Sequence, residues 1–217
     1  MSMNSTKVRS ILESLEEKQV TLIAVTKLHT VKEIQPLYDL GIRNFGENRV
    51  QELMEKVEHF PGVHWHLIGH LQRNKVKYIA PFISVIHSID SEDLLQEINK
   101  QAERNNRVID GLLQVHVAQE ESKFGFPAST FLQQIRDIDF AQYPHVRIRG
   151  IMGMASMVND TNQIREEFQQ IKLFFDALKP QFSEHFDTVS MGMSGDYQLA
   201  IQEGSTMVRL GSILFEG

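Results

Sequence analysis

Short apolar segments rich in β-branched residues alternate with longer amphipathic segments along this chain, and no other feature limits its fold as strongly. The short segments predict strands, and the longer ones have the spacing of helices. Strands are predicted at Thr21–Thr26, Ile42–Phe45, His64–Ile68, Ile83–Ile89, Gly111–Val117, Val146–Met152, Asp187–Met191 and Thr206–Leu210. Strands that alternate with helices form βαβ units, so the sequence predicts a parallel sheet.

Helical segments are predicted between these strands, and a further helix is predicted at the N-terminus. They lie near residues 31–40, 48–59, 72–80, 91–105, 127–139, 160–178 and 195–203. Ser91 and Asp160 stand where N-caps are expected, and Pro127 suits a first helical turn. No Rossmann or Walker phosphate motif follows a strand, which disfavours an open doubly wound sheet. The pattern therefore predicts an α/β protein with one (β/α)8 TIM-type barrel over residues 1–217 and an extra N-terminal helix.

The composition excludes several classes of protein. The formal charge of −6 argues against general binding to nucleic acid or to anionic membranes. The absence of cysteine excludes disulfides, thiolate catalysis and cysteine metal sites, and it fits a reducing compartment. The N-terminus has no apolar core of a secretory signal, and no apolar run is long enough to cross a bilayer. A cytoplasmic protein is expected.

The first predicted strand leads into a lysine, in the segment Thr21-Leu-Ile-Ala-Val-Thr-Lys27. In a barrel of this kind the chemistry lies at the C-terminal ends of the strands. A lysine in a dry barrel mouth would have a lowered amine pKa, and the free amine is the form that condenses with an aldehyde. A strand-end lysine that extends to solvent is the simpler alternative.

Two loops near the C-terminus have the composition of a phosphate-binding site. Ser190-Met-Gly-Met-Ser-Gly-Asp196 stands between a predicted strand and a predicted helix, which places Ser194 and Gly195 at a helix N-terminus. The last strand leads into a second small-residue loop at Gly211 and Ser212. In this fold the loops after strands seven and eight usually bind phosphate. Ordinary β/α turns, which also favour glycine and serine, are the alternative.

Two further polar residues stand at strand ends or on a strand near this site. Arg209 lies on the last strand, where an inward-facing guanidinium needs a partner. That partner is either the ring nitrogen of a bound cofactor or a carboxylate such as Glu203 or Glu216. Asn48 follows the second strand and can reach a cofactor's ring substituents, unless it or Glu47 caps the next helix.

The histidines and lysines of the third strand region do not predict a metal or nucleic-acid site. His64 and His66 share a strand face, but no carboxylate completes a ligand set, so no metal is expected. The basic residues Arg73, Lys75 and Lys77 fit a solvated helix face.

These segments together resemble the pyridoxal phosphate homeostasis protein family, whose members are racemase-like proteins with a barrel that binds pyridoxal 5′-phosphate (PLP). The matching segments are AVTK (24–27), FGEN (45–48), WHLIGHLQRNKVK (65–77), HSID (87–90), ESKFGF (121–126), SMGMSGD (190–196) and GSTMVRLGS (204–212). They follow in order over nearly the whole chain. Gly153 and Gln119 depart from the family pattern, and neither lies in the lysine or phosphate motifs.

The resemblance implies a barrel like the N-terminal domain of alanine racemase, with PLP bound as a Schiff base. It implies that Lys27 forms the Schiff base and that Arg209 faces the pyridine nitrogen. The positions that match the phosphate-binding loops are Ser194, Gly195, Gly211 and Ser212.

Two functions from different classes follow from the resemblance. In the first, the protein holds PLP for intracellular vitamin B6 homeostasis without catalytic turnover, and apo PLP-dependent enzymes are its expected partners. In the second, it is a PLP-dependent amino-acid racemase. Racemases of this fold add a C-terminal β-domain that supplies a second acid/base group, which this chain is expected to lack, so the first function is favoured. A lysine-dependent sugar-phosphate aldolase fits the barrel but not Arg209. A monomer or weak dimer is expected.

Overall fold

The computed structural model describes residues 4–118, 124–182 and 184–216, and its parallel strands close into a barrel. The strands are β1 (Thr21–Val25), β2 (Asn44–Glu47), β3 (His64–Leu67), β4 (Val85–Ile89), β5 (Ile109–His116), β6 (Phe126–Pro127), β7 (Val146–Met152), β8 (Thr188–Ser190) and β9 (Met207–Leu210). Among the described residues β6 pairs only with β5, whereas the other eight strands form a ring that β9 closes by pairing with β1. The predicted (β/α)8 barrel is confirmed.

Helices surround the barrel and connect its strands. They are α1 (Ser5–Glu17), α2 (Val31–Asp39), α3 (Val50–Lys56), α4 (Val76–Ile79), α5 (Glu92–Arg104), α6 (Phe131–Asp137), α7 (Thr161–Leu178), α8 (Tyr197–Gln202) and α9 (Ser212–Phe215). Short 3-10 turns occupy Val57–His59, Arg73–Lys75, Phe140–Gln142 and Lys179–Gln181. Ser91 and Asp160 cap α5 and α7, as predicted. Every helix in the described ranges is too short or too polar to span a membrane.

Some local predictions were wrong. Pro127 does not begin a helix: it lies in β6, and α6 starts only at Phe131. The backbone there instead pairs with the end of β5, where the Ala128 N–H donates to the His116 carbonyl at 3.3 Å. The helix α9 after the last strand was not predicted. Gln119 and residues 121–123 of the ESKFGF segment lie outside the described residues.

The main apolar core lies between the barrel and its helices. Phe45 of β2 packs edge-on against Phe60 and Trp65, with ring centroids 5.5 and 5.7 Å apart. On α7, Phe168 and Ile171 are buried with the helical spacing that the sequence predicted. This layer holds the strands in place, so the residues at their C-terminal ends converge on one side of the barrel.

Part of the barrel interior is polar. His87 on β4 is hydrogen-bonded to Ser190 on β8, although these two strands are not neighbours in the ring. A contact between non-adjacent strands has to cross the inside of the barrel. The interior therefore contains a polar side-chain network directly beneath the C-terminal mouth.

Candidate functional site

A cavity of about 580 Å³ opens at the C-terminal ends of the strands. All seven residues predicted to bind a cofactor line it, and they are Lys27, Asn48, Ser194, Gly195, Arg209, Gly211 and Ser212. They come from the segments at or after the ends of β1, β2, β8 and β9, which lie far apart in the sequence. The volume is in the range of small-molecule sites. The fold thus brings together a primary amine, a guanidinium and two small-residue loops.

Lys27 follows β1 by two residues and lines the cavity, but its side chain is exposed. The expected dry environment for this amine is therefore wrong. The neighbouring backbone is well held, however. Leu28 adopts a φ of 66° and donates its N–H to Glu52 Oε2 at 3.2 Å. A left-handed conformation is rare for leucine, so this turn fixes the direction in which the chain leaves Lys27.

A buried ion pair holds the residue before Lys27. Lys56 Nζ lies 2.6 Å from Glu47 Oε1 and donates to the Thr26 carbonyl at 2.9 Å. The Thr26 hydroxyl donates to the same Glu47 oxygen at 2.6 Å. Burial raises the pKa of the Glu47 carboxyl, while the contacts with Lys56 and Thr26 oppose that rise. This cluster links the ends of β1 and β2 beneath the cavity.

The two predicted phosphate loops meet at Ser194. Its Oγ accepts the N–H of Gly211 at 3.2 Å and that of Ile213 at 3.5 Å, so one hydroxyl ties the loop after β8 to the start of α9. Within the described part of the chain, the backbone N–H groups of Ser194, Gly195 and Ser212 have no acceptor. Ser194 and Gly195 lie in the turn just before α8, close to the predicted helix N-terminus.

Gly192 shapes the same loop. It has a φ of +96°, and a Cβ added there would stand 2.6 Å from the Cβ of Ala200 in α8. Both the left-handed backbone and the close packing require glycine at this position. The Asp196 carboxylate accepts the Met193 N–H at 2.5 Å, which closes the turn from the other side.

Arg209 forms the floor of the cavity on β9 and is almost fully buried. Its Nη1 donates to the Ser190 carbonyl at 2.9 Å and to Ser190 Oγ at 2.7 Å, and its Nη2 donates to the Gly153 carbonyl at 3.1 Å. The alternative partner Glu203 pairs instead with Arg165. Burial lowers the pKa of Arg209 to about 10, with Asp196 acting in the opposite direction, so the group stays charged at neutral pH.

Asn48 is half-buried beside the start of α3 and lines the cavity. The alternative that Asn48 or Glu47 caps α3 is wrong, because the N-cap residue is Arg49 and no side chain caps the helix. The backbone of Asn48 leaves no room for a side chain at Gly69, where an added Cβ would stand 2.3 Å from the Asn48 carbonyl oxygen. The ends of β2 and β3 are therefore in close contact at the cavity wall.

Other cavity residues were missed by the sequence interpretation. His70 lines the cavity, stacks on Phe124 with ring centroids 3.9 Å apart, and lies 3.1 Å from Asp90 through its Nδ1. Its partners are distant in sequence, and only its place just after β3 could have drawn attention to it. Further members of the wall are Val25, Ile68, Gly69, Gln114, Met154 and Met193. None of the four tyrosines is among the cavity residues.

Known proteins are similar to this chain over the whole of the barrel. The family model described as "Alanine racemase, N-terminal domain" matches residues 4–217. A pyridoxal phosphate homeostasis protein of Aquifex aeolicus (strain VF5) is 35% identical over 201 residues, which cover 92% of this chain and 87% of the relative. The chain belongs to the pyridoxal phosphate homeostasis protein family. The resemblance inferred from the seven sequence motifs is thereby confirmed.

Solved structures agree with this family membership. The structure of PipY from Synechococcus elongatus PCC7942 without PLP matches with a TM-score of 0.88 at 33% identity, covering 97% of this chain and 98% of PipY. The structure of the same protein with PLP bound matches with a TM-score of 0.81, covering 94% of this chain and 97% of PipY. The family barrel and the barrel described above therefore have the same fold over almost their full lengths.

Proposed function

We propose that this protein holds PLP as a Schiff base on Lys27 and takes part in intracellular PLP homeostasis, without appreciable catalytic turnover. The observation that carries the proposal is the convergence of all seven predicted residues on one cavity. A relative with PLP bound has the same fold. The proposal places this role in the cytoplasm, with apo PLP-dependent enzymes as the recipients of the cofactor.

The residues present fit the chemical groups of PLP. Backbone N–H groups without acceptors at Ser194, Gly195 and Ser212 suit a phosphate. Three of the five N–H groups of Arg209 are used by Ser190 and Gly153, which leaves donors for a ring nitrogen. When bound, PLP supplies an aldehyde that an amine can capture. The Nζ of Lys27 is the amine in this cavity that we assign to that reaction.

The position of Arg209 favours a protein that holds the cofactor over an enzyme that forms a carbanion on its substrate. A buried guanidinium that stays charged donates a hydrogen bond to a ring nitrogen and keeps that nitrogen unprotonated. An unprotonated pyridine is a poor electron sink, so the groups in this floor do not favour rapid removal of an amino acid's α-proton.

Replacing Ser194 with alanine tests the phosphate assignment. The change removes one hydroxyl donor to a charged group, so we expect PLP affinity to fall by about 1.5–3 kcal/mol. Pyridoxal, which has no phosphate, should bind equally well to the variant and to the wild-type protein. Fluorescence or absorption titration with both ligands measures the difference. Equal weakening of the two ligands would show that Ser194 acts on the fold of the loops and not on the phosphate.

A PLP-dependent racemase remains the second candidate, because one observation favours it. Racemisation needs acid/base groups on both faces of the substrate carbon, and His70, which is paired with Asp90, lines the same cavity as Lys27. Asp90 can orient the His70 ring and so leave Nε2 as a base. His70 was not recognised in the sequence as a second acid/base group.

Turnover and delivery distinguish the two candidates. We expect holo-protein incubated with single amino acids in D₂O to racemise them at well below roughly one turnover per second, near the low end of ordinary enzymes. Slow α-deuteration of an amino acid by Lys27 alone is compatible with a protein that holds PLP without appreciable turnover. Mixing with an apo PLP enzyme should restore that enzyme's activity while the visible band of the holo-protein declines. Fast racemisation that is lost in His70→Gln would instead establish the racemase.

A further inference from the structure

A chain of hydrogen bonds runs from Arg209 through the barrel interior. Arg209 Nη1 lies 2.7 Å from Ser190 Oγ, which lies 3.1 Å from His87 Nδ1. His87 Nε2 then lies 2.9 Å from His66 Nδ1, and His66 Nε2 lies 3.4 Å from Asn44 Oδ1. The five residues belong to β9, β8, β4, β3 and β2, so the chain connects opposite sides of the barrel.

The chemistry of the groups allows one continuous direction of hydrogen bonding along this chain, which begins at Arg209. Arginine can only donate, so Ser190 Oγ accepts from it and its own hydrogen is free to go to His87 Nδ1. In this arrangement His87 carries its proton on Nε2 and donates to His66 Nδ1. His66 in turn carries its proton on Nε2 and donates to Asn44 Oδ1. Each group thus accepts on the side that faces Arg209 and donates on the side that faces away.

Burial keeps both rings neutral, as this arrangement requires. Ser190, His66 and His87 are buried. Burial lowers the pKa of His66 to about 3, with His64 contributing, and it lowers that of His87 far below its ordinary value, with His66 and Arg209 contributing. None of the side-chain bonds described for Arg209 goes to a carboxylate. Oriented neutral dipoles and the carbonyls of Ser190 and Gly153 therefore stabilise its buried charge, together with the electrostatic attraction of Asp196.

We propose that Ser190, His87, His66 and Asn44 form a positioning relay that holds the Arg209 guanidinium in one orientation toward the cavity. The inference rests on the proposed function, in which Arg209 contacts the ring nitrogen of PLP. A guanidinium bonded through Nη1 to Ser190 cannot rotate without breaking the relay. The relay acts through Arg209 and does not itself touch the cofactor.

The test compares PLP with an analogue whose ring nitrogen is replaced by C–H. The wild-type protein should bind PLP about tenfold to a hundredfold more tightly than the analogue, as expected for one hydrogen bond from a charged donor. Ser190→Ala removes the hydroxyl between Arg209 and His87, so the preference should fall to within about threefold while affinity for the analogue stays unchanged. Ser190→Thr keeps a hydroxyl and should keep the preference.

Ser88 provides the matched control. It is also a fully buried serine, on β4 beside His87, and its hydroxyl has no partner within the described part of the chain. Ser88→Ala should therefore retain the full preference for PLP. His87→Gln, which does not reproduce the imidazole's two ring-nitrogen positions, should lose the preference as Ser190→Ala does.

The binding results distinguish a failure of the relay from a failure of the proposed function on which the relay rests. Wild-type protein that binds neither ligand, or binds both equally, would overturn the assignment of Arg209 and the relay with it. A normal wild-type preference that persists in both Ser190→Ala and His87→Gln would overturn the relay alone. Equal weakening of both ligands in these variants would also overturn it, because a loss of packing affects them alike.

Discussion

Between pH 6.5 and pH 4.5, the free energy of unfolding should lose about 2 kcal/mol for each of the two buried histidines. His66 and His87 are neutral in the folded protein, because burial holds their pKa values far below the ordinary 6.5. In the unfolded chain they take up protons near pH 6.5. The unfolded state therefore binds more protons below that pH, and stability falls as the pH falls. For His66 the loss ends near pH 3, where the folded ring also becomes protonated.

Urea unfolding followed by circular dichroism at pH 7.5, 6.5, 5.5 and 4.5 measures this dependence. Burial raises the pKa values of Glu47 and Asp196, so these carboxyls act in the opposite direction in acid, and variants are needed to isolate the histidines. His66→Gln and His87→Gln should each reduce the slope of the free energy of unfolding against pH by up to about 1.4 kcal/mol per pH unit. His59→Gln, on the exposed surface, should leave it unchanged. Slopes that are equal in all four proteins would show that neither buried ring stays neutral in the folded state.

Lys27→Ala should abolish the visible absorption band of the PLP complex. The Nζ of Lys27 is the amine that we assign to the Schiff base, and alanine removes it without changing the phosphate loops. Those loops should still hold some PLP non-covalently, with an affinity lower by at least about tenfold. Lys77→Ala is the control, because Lys77 is an exposed lysine on α4 that does not line the cavity. It should retain both the band and the affinity.

The parts of the site that were predicted from the sequence are those with a local signal. Lys27, Ser194 and Gly211 each stand just after a strand, and the barrel fold places such residues at one mouth. The alternation of strands and helices was enough to predict the closed barrel. Pro127 was misassigned because its backbone pairs with β5, a tertiary contact that overrides a favourable helix-start residue.

The parts that were not predicted depend on contacts between distant residues. His87 and Ser190 are 103 positions apart, and only the closed ring brings them together. His66 was considered as a metal ligand and rejected, but its bond to His87 required knowledge of the register between β3 and β4. The environment of Lys27 was predicted to be dry, whereas the side chain is exposed, because the local sequence does not determine how far the neighbouring loops cover the mouth.

Borohydride reduction of the PLP-loaded protein, followed by peptide mass mapping, tests the central claim most directly. Reduction fixes a Schiff base as a stable pyridoxyl group on the lysine that formed it. The account predicts a single modified peptide that carries the group on Lys27, and none in the Lys27→Ala variant. A group on Lys75 or Lys77, or PLP that binds without any reducible link to a lysine, would contradict the account.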